Sequence, residues 1–104
     1  MDSIQISLEQ FRAVMLAAGY DQVTQRSWDP NIKLEEHVHP FDANAIVIQG
    51  EMVLGVKGYQ PRRLIAGDTF HVLANTPHFE EYGKDGATYW VARKGDIPGV
   101  ARGM

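Results

Sequence analysis

From Gln22 onward the chain is a succession of short runs of β-forming residues, each closed by a cluster of Gly, Pro, Asn or Asp. The run Gln22 to Trp28 stops at Asp29-Pro30-Asn31, and Lys33 to His39 leads into Pro40. The runs "ANAIVIQ" and "EMVLGVK" meet at Gly50, and Lys57-Gly58 follows. Then come "RRLI", Ala66-Gly67-Asp68, "TFHVL", a loop at Ala74 to Pro77, "HFEEY", "GKDG" and "ATYWVAR". Strands this short, with turn signals every eight to twelve residues or so, mark an all-β sandwich or barrel. Asp68 reads as turn chemistry, a carboxylate bonding nearby backbone amides.

One helix precedes them. Ser7 is a favourable N-cap and Gln10 stands three residues on, the spacing of a capping box. Leu8, Phe11 and Met15 recur on one face, with Leu16 beside them, and Gly19 supplies the left-handed stop. A single amphipathic helix cannot enclose a core, so its apolar stripe must cover the β structure. The expected organisation is a helix and lead-in over residues 1–21, a barrel over 22–94, and a Gly-rich tail over 95–104 that contains Pro98.

Composition narrows the function classes. With 104 residues the chain is one domain, large enough for a single core. No cysteine is present, which excludes disulfides, thiolate metal sites and a cysteine nucleophile. A net charge of −3, with only Arg62-Arg63 as a local basic cluster, argues against nucleic-acid binding. No apolar run is long enough to span a membrane, and "MDSIQISLEQ" lacks a basic, then apolar, leader pattern. A cytoplasmic protein is expected. No Gly-rich phosphate loop, nucleophile elbow or paired catalytic carboxylates stand out.

The chemistry-bearing stretch is "LEEHVHPFDANAIVIQGE". On a strand, Glu35, His37 and His39 share one face and Leu34, Glu36 and Val38 the other. Imidazole is the commonest side-chain metal ligand, and two at alternate strand positions can converge on one ion. In "HFEEY", His78, Glu80 and Tyr82 share a face. A lone strand histidine such as His71 is read as a surface residue. The run Ala45 to Ile48 is apolar on both faces, which suits a strand covered by the barrel interior on one side and by the helix or a second subunit on the other.

"HVHPFDANAIVIQGEM" together with "AGDTFHVLANTPHFE" resembles the two motifs of the small single-domain cupins, over about Gln22 to Arg93. His37, His39 and Gly50 match the first motif, and Gly67 and His78 the second. The resemblance implies a double-stranded β-helix, the cupin jelly-roll barrel, with the N-terminal helix packed outside. It also implies one divalent metal ion, zinc, nickel, iron(II) or manganese, held by His37, His39 and His78. The chain departs from the pattern at four places. The motif's glutamate falls on Ala43, its proline on Leu73, its second glycine on Asn75 and its asparagine on Tyr82. The neighbours Asp42 and Asn44 are one residue out of register with the inward face. Glu80 is the carboxylate on the face of His78, placed to hydrogen-bond a ligand or a metal-bound water. Two functional readings follow: a small-molecule dioxygenase, isomerase or hydrolase, or a non-catalytic ligand-binding or sensory module. The doubly apolar strand and the resemblance together suggest a homodimer.

Overall fold

A computed structural model describes residues 6–97. Helix α1 (Leu8–Ala17) is followed by β1 (Gln22–Trp28), β2 (Lys33–His37), β3 (Phe41–Val56), β4 (Arg62–Ile65), β5 (Thr69–Val72) and β6 (His78–Gly95). The expected all-β barrel with one helix is what the chain forms. None of the described helical segment is long and apolar enough to cross a membrane.

Two strands organise everything. β3 and β6 pair with each other antiparallel along nearly their whole length, from Phe41↔Gly95 to Val56↔His78. Both bend midway, so each contributes to two walls. In one wall β1 pairs with the C-terminal half of β6, and β5 with the N-terminal half of β3. In the other, β2 pairs with the start of β6, and β4 with the C-terminal half of β3. The outcome is a jelly roll in which one long hairpin-like pair crosses both walls.

The bend replaces what the sequence reads as turns. Gly50 and "GKDG" were expected to separate strands, but both lie inside the continuous strands β3 and β6; the register jumps between Gly50 and Met52, so that residues 83–86 stand opposite Glu51 alone. Gly50 adopts φ +80°, and a Cβ there would lie 2.1 Å from the Gly86 carbonyl oxygen. Two strands pass this closely only where one of them has no side chain. A bulge with a glycine lets a strand change walls without ending.

The interior is filled by inward residues of β3, β4, β5 and β6, with Val47, Met52 and Leu64 fully buried. A second cluster lies outside the barrel: Phe11 packs at 6.1 Å between ring centroids on Trp90, and Ile46 and Ile48 join them. The helix therefore covers the outer apolar face of β3, one of the two covers its sequence called for. The cap is as expected: Gln10 N–H donates to Ser7 Oγ at 3.1 Å, and Ser7 N–H to Gln10 Oε1 at 2.8 Å. Gly19 carries φ +98°. Leu16 stays exposed. At the other end Gly95 closes β6 and Ile97 is buried, while the rest of the expected tail, with Pro98, lies outside the described residues.

Candidate metal centre

His37 closes β2 and His78 opens β6, and the two are direct cross-strand partners. Their rings lie 4.4 Å apart between centroids. Simple alternation along β2 does not hold, because the β2–β6 register shifts between Leu34 and His37. One extra residue there turns Leu34 and His37, three positions apart, toward the same cavity. His39 lies beyond the end of β2, with its ring 4.8 Å from that of His78 and 6.2 Å from that of His37. It stacks flat on Phe41, centroids 4.1 Å apart.

All three imidazoles are held through the same ring nitrogen. Each Nδ1–H donates to a backbone carbonyl: His37 to Glu35 at 2.7 Å, His39 to Phe41 at 3.0 Å and His78 to Thr76 at 2.9 Å. A carbonyl only accepts, so a proton sits on Nδ1, and in the neutral ring each Nε2 is left with its lone pair. This is the tautomer a histidine needs to bind a metal through Nε2, fixed by the chain's own backbone. Burial lowers the pKa of His39, partly offset by its bond to Phe41, and the neighbouring histidines lower it further. The Phe41 bond and the Glu80 carboxylate favour the protonated ring; the other effects favour the neutral, ligating form.

Glu80 supplies the carboxylate. It is 8 % exposed, and its Oε2 lies 3.7 Å from His37 Nε2 and 3.6 Å from His78 Nε2. Those separations exceed a hydrogen bond, which ends near ~3.2 Å. They suit two donors sharing one ion, since ligands about 2.1 Å from a tetrahedral zinc stand roughly 3.4 Å apart. His37, His78 and Glu80 are the group whose ligand atoms all fall within 4.8 Å of one another. His39 stands beside that group rather than within it. Tyr82 hydroxyl donates to the other oxygen, Glu80 Oε1. Burial raises the Tyr82 pKa far above the ordinary phenol range, with Tyr89 and Glu80 adding to it, so it remains a donor. Trp28 stacks on Tyr82 at 5.2 Å and its Nε1–H donates to Tyr89 hydroxyl at 3.2 Å, which locks the far side of this carboxylate support.

The residues around the motif departures have settled roles. Ala43 is buried and lines the cavity without a polar atom. Asp42 accepts from Ala74 N–H at 2.8 Å, and Asn44 donates to Tyr20 hydroxyl at 3.4 Å, so both are engaged away from the histidines. Asn75 takes the left-handed conformation, φ +62°, that a glycine would otherwise provide. Asp68 accepts from Ile65 N–H at 2.9 Å, the expected turn bond. His71 is exposed on β5, and Arg63 pairs with Glu51 on the surface. Two cavity-lining residues, Arg26 and Arg93, were not singled out from sequence. Their signal was there: Arg26 alternates with Trp28, and Arg93 with Tyr89 and Val91, on inward faces.

The donor set fits a divalent ion. Glu80 is a buried carboxylate with no Lys or Arg partner among the described residues. Buried charges are paired or bind metals. Mixed imidazole and carboxylate ligands suit zinc, iron(II), nickel and manganese.

The antiparallel β barrel gathers three histidines and a carboxylate around one cavity. The fold is that of a small cupin domain. DMSP lyase DddQ from Ruegeria pomeroyi superposes with a TM-score of 0.67 at 22% identity, over 75% of this chain and 40% of that one. KdgF from a Halomonas species gives 0.64 at 21% identity, over 73% and 69%. An RmlC-like cupin from Shewanella frigidimarina gives 0.64 at 22% identity, over 76% and 70%. The chain thus spans about two fifths of the lyase. No protein-family model matches it, and no curated protein does.

Proposed function

We propose that the chain is a metal-dependent small-molecule enzyme whose divalent ion is held by His37, His78 and Glu80, with His39 as a further nitrogen ligand. The observation that carries this is that backbone carbonyls engage Nδ1 of all three histidines and leave Nε2 for a metal, with a Glu80 carboxylate oxygen 3.6–3.7 Å from two of those Nε2 atoms. Compared with a three-histidine set, the carboxylate is restored, but from β6 instead of from position 43 on β3. Such an ion supplies Lewis acidity, polarising a bound oxygen or lowering the pKa of water.

The chain's own residues prepare the site. The Glu35, Phe41 and Thr76 carbonyls fix the imidazole tautomers, and Tyr82 holds one Glu80 oxygen so that the other points to the histidines. The wall formed by Leu54, Phe70, Val72 and Val91 keeps the interior side of the cavity apolar, which strengthens electrostatic interactions there. A DMSP lyase among the structural neighbours supports enzymatic use. Metal analysis by mass spectrometry of tag-free protein tests the reading. Near-stoichiometric metal, lost when His37 and His78 are both changed to alanine, is the expected result. Protein that is empty and takes up no zinc, nickel, iron(II) or manganese at micromolar concentration refutes it.

A further inference from the structure

The cavity that opens onto His37, His78 and Glu80 has a second polar corner, made by Arg26 on β1 and Arg93 on β6. Guanidinium groups pointing into a barrel normally meet carboxylates. Here, among the described residues, neither has one within 4 Å. Arg26 lies over the Trp28 ring at 5.1 Å and Arg93 over the Phe41 ring at 4.9 Å. Arg93 Nη1 donates to Gln22 Oε1 at a long 3.4 Å, and its Nε is buried with no hydrogen-bond partner. Burial lowers the Arg93 pKa, and the Arg26 charge beside it lowers it further. A guanidinium remains protonated even so. Two like charges have been brought to one cavity, and one of them has an unsatisfied buried donor.

Position 43 explains why that charge is open. Ala43 is the direct cross-strand partner of Arg93, and side chains so placed stand about 5 Å apart at Cβ. A glutamate at 43, where the cupin motif has one, would face Arg93 and could neutralise it. With alanine there and the carboxylate moved to Glu80, the guanidinium keeps its charge for something that enters from outside.

We propose that this cavity binds a small carboxylate, its carboxylate group held by Arg26 and Arg93 and its other end directed to the His37–His78–Glu80 centre. Arginine takes carboxylates through paired N–H donors, and a desolvated wall strengthens that contact. The cavity volume, about 220 Å³, limits the size. An engineered protein cavity of roughly 150 Å³ accommodates benzene, so a ligand on the order of six to ten non-hydrogen atoms fits. Its middle meets Leu54, Phe70, Val72 and Val91 and is short and apolar. The anion corner stands on the arginines alone; only the direction of the ligand's other end rests on the metal reading.

Calorimetric titration tests it with succinate and benzoate, each against its neutral amide, succinamide and benzamide, on zinc-loaded and metal-free protein. The acids are expected to bind at least tenfold tighter than the amides. R93Q keeps a polar side chain but removes the charge. It is expected to weaken the acids at least tenfold, leaving the amides and the zinc affinity, read by chelator competition, unchanged. R26Q, on the more open strand, reports the same loss should R93Q fail to fold. A43E is expected to abolish acid binding by pairing with Arg93 while zinc still binds. Acids no tighter than amides, acid binding indifferent to R93Q and R26Q, or inorganic phosphate binding where neither acid does would each overturn the proposal. Acid binding that needs Arg93 in a protein that takes no metal upholds the anion corner and removes the metal centre. Normal zinc uptake with no acid binding does the reverse.

Discussion

Replacing Glu80 by glutamine (E80Q) separates the carboxylate's part in metal binding from its part in the fold. Glutamine keeps the size and can still accept from Tyr82, but it removes the charge lying 3.6 and 3.7 Å from two imidazole nitrogens. At zinc one hundred times its Kd, binding stabilises the wild type by about 2.7 kcal/mol. For a domain of about 100 residues that is a rise of about 11–22 °C in Tm. Losing a ligand or its immediate support weakens metal binding about 10- to 100-fold. At the same zinc concentration E80Q then gains only about 0.4–1.4 kcal/mol, a rise of about 2–11 °C. Metal-free E80Q is expected to melt at or above metal-free wild type, because a buried carboxylate with no Lys or Arg beside it has gone. Differential scanning fluorimetry with and without zinc, on chelator-treated protein, reads both numbers. Equal zinc-induced shifts in the two proteins would show that Glu80 takes no part in holding the ion.

Two further substitutions and one measurement of mass bear on the fold and assembly. G50A places a Cβ against the Gly86 carbonyl at a left-handed position; a loss of about 2 kcal/mol or more is expected, and urea unfolding within ~0.5 kcal/mol of wild type would contradict the tight crossing. S7A removes the hydroxyl half of the capping box, with an expected loss of about 1 kcal/mol in the same assay; no change would mean that this cap contributes nothing to the stability of the docked helix. We also propose a homodimer, to be read by light scattering after size exclusion. A clean monomer mass at micromolar concentration would end that proposal, and since α1 already lies over Ile46 and Ile48, a dimer would use another surface.

Local signals were the legible ones. Ser7, Gln10 and Gly19 marked the helix because caps are written in adjacent residues, and β1 and β4 ended where their turn residues stood. His37, His39 and His78 could be gathered by spacing and resemblance. What escaped depends on pairing between distant segments. Gly50 looks like a turn to a reader of single strands, yet it is a bend, because its partner across the sheet is Ala87, beside another glycine. The β2 bulge is set by register against β6, so alternation alone misassigned Leu34. Alternation did place Glu80 with His78, but its approach to His37 needed the β2–β6 pairing. Arg26 and Arg93 were passed over because an arginine in a strand ordinarily faces water, and only the closed barrel shows that these two look inward.

The pairing of β3 with β6 also governs when the site can exist. His37 is made early and His78 and Glu80 late, and they meet only once β6, laid along β3, has also paired with β2 across several tens of residues of intervening chain. Contacts so remote in sequence form slowly, on the millisecond-to-second scale typical of β barrels. A chain still lacking β6 presents His37 and His39 with no carboxylate opposite them. Under the proposed reading, metal uptake by the complete site would be a late event in the life of each molecule, and a bound ion would report that both walls have closed.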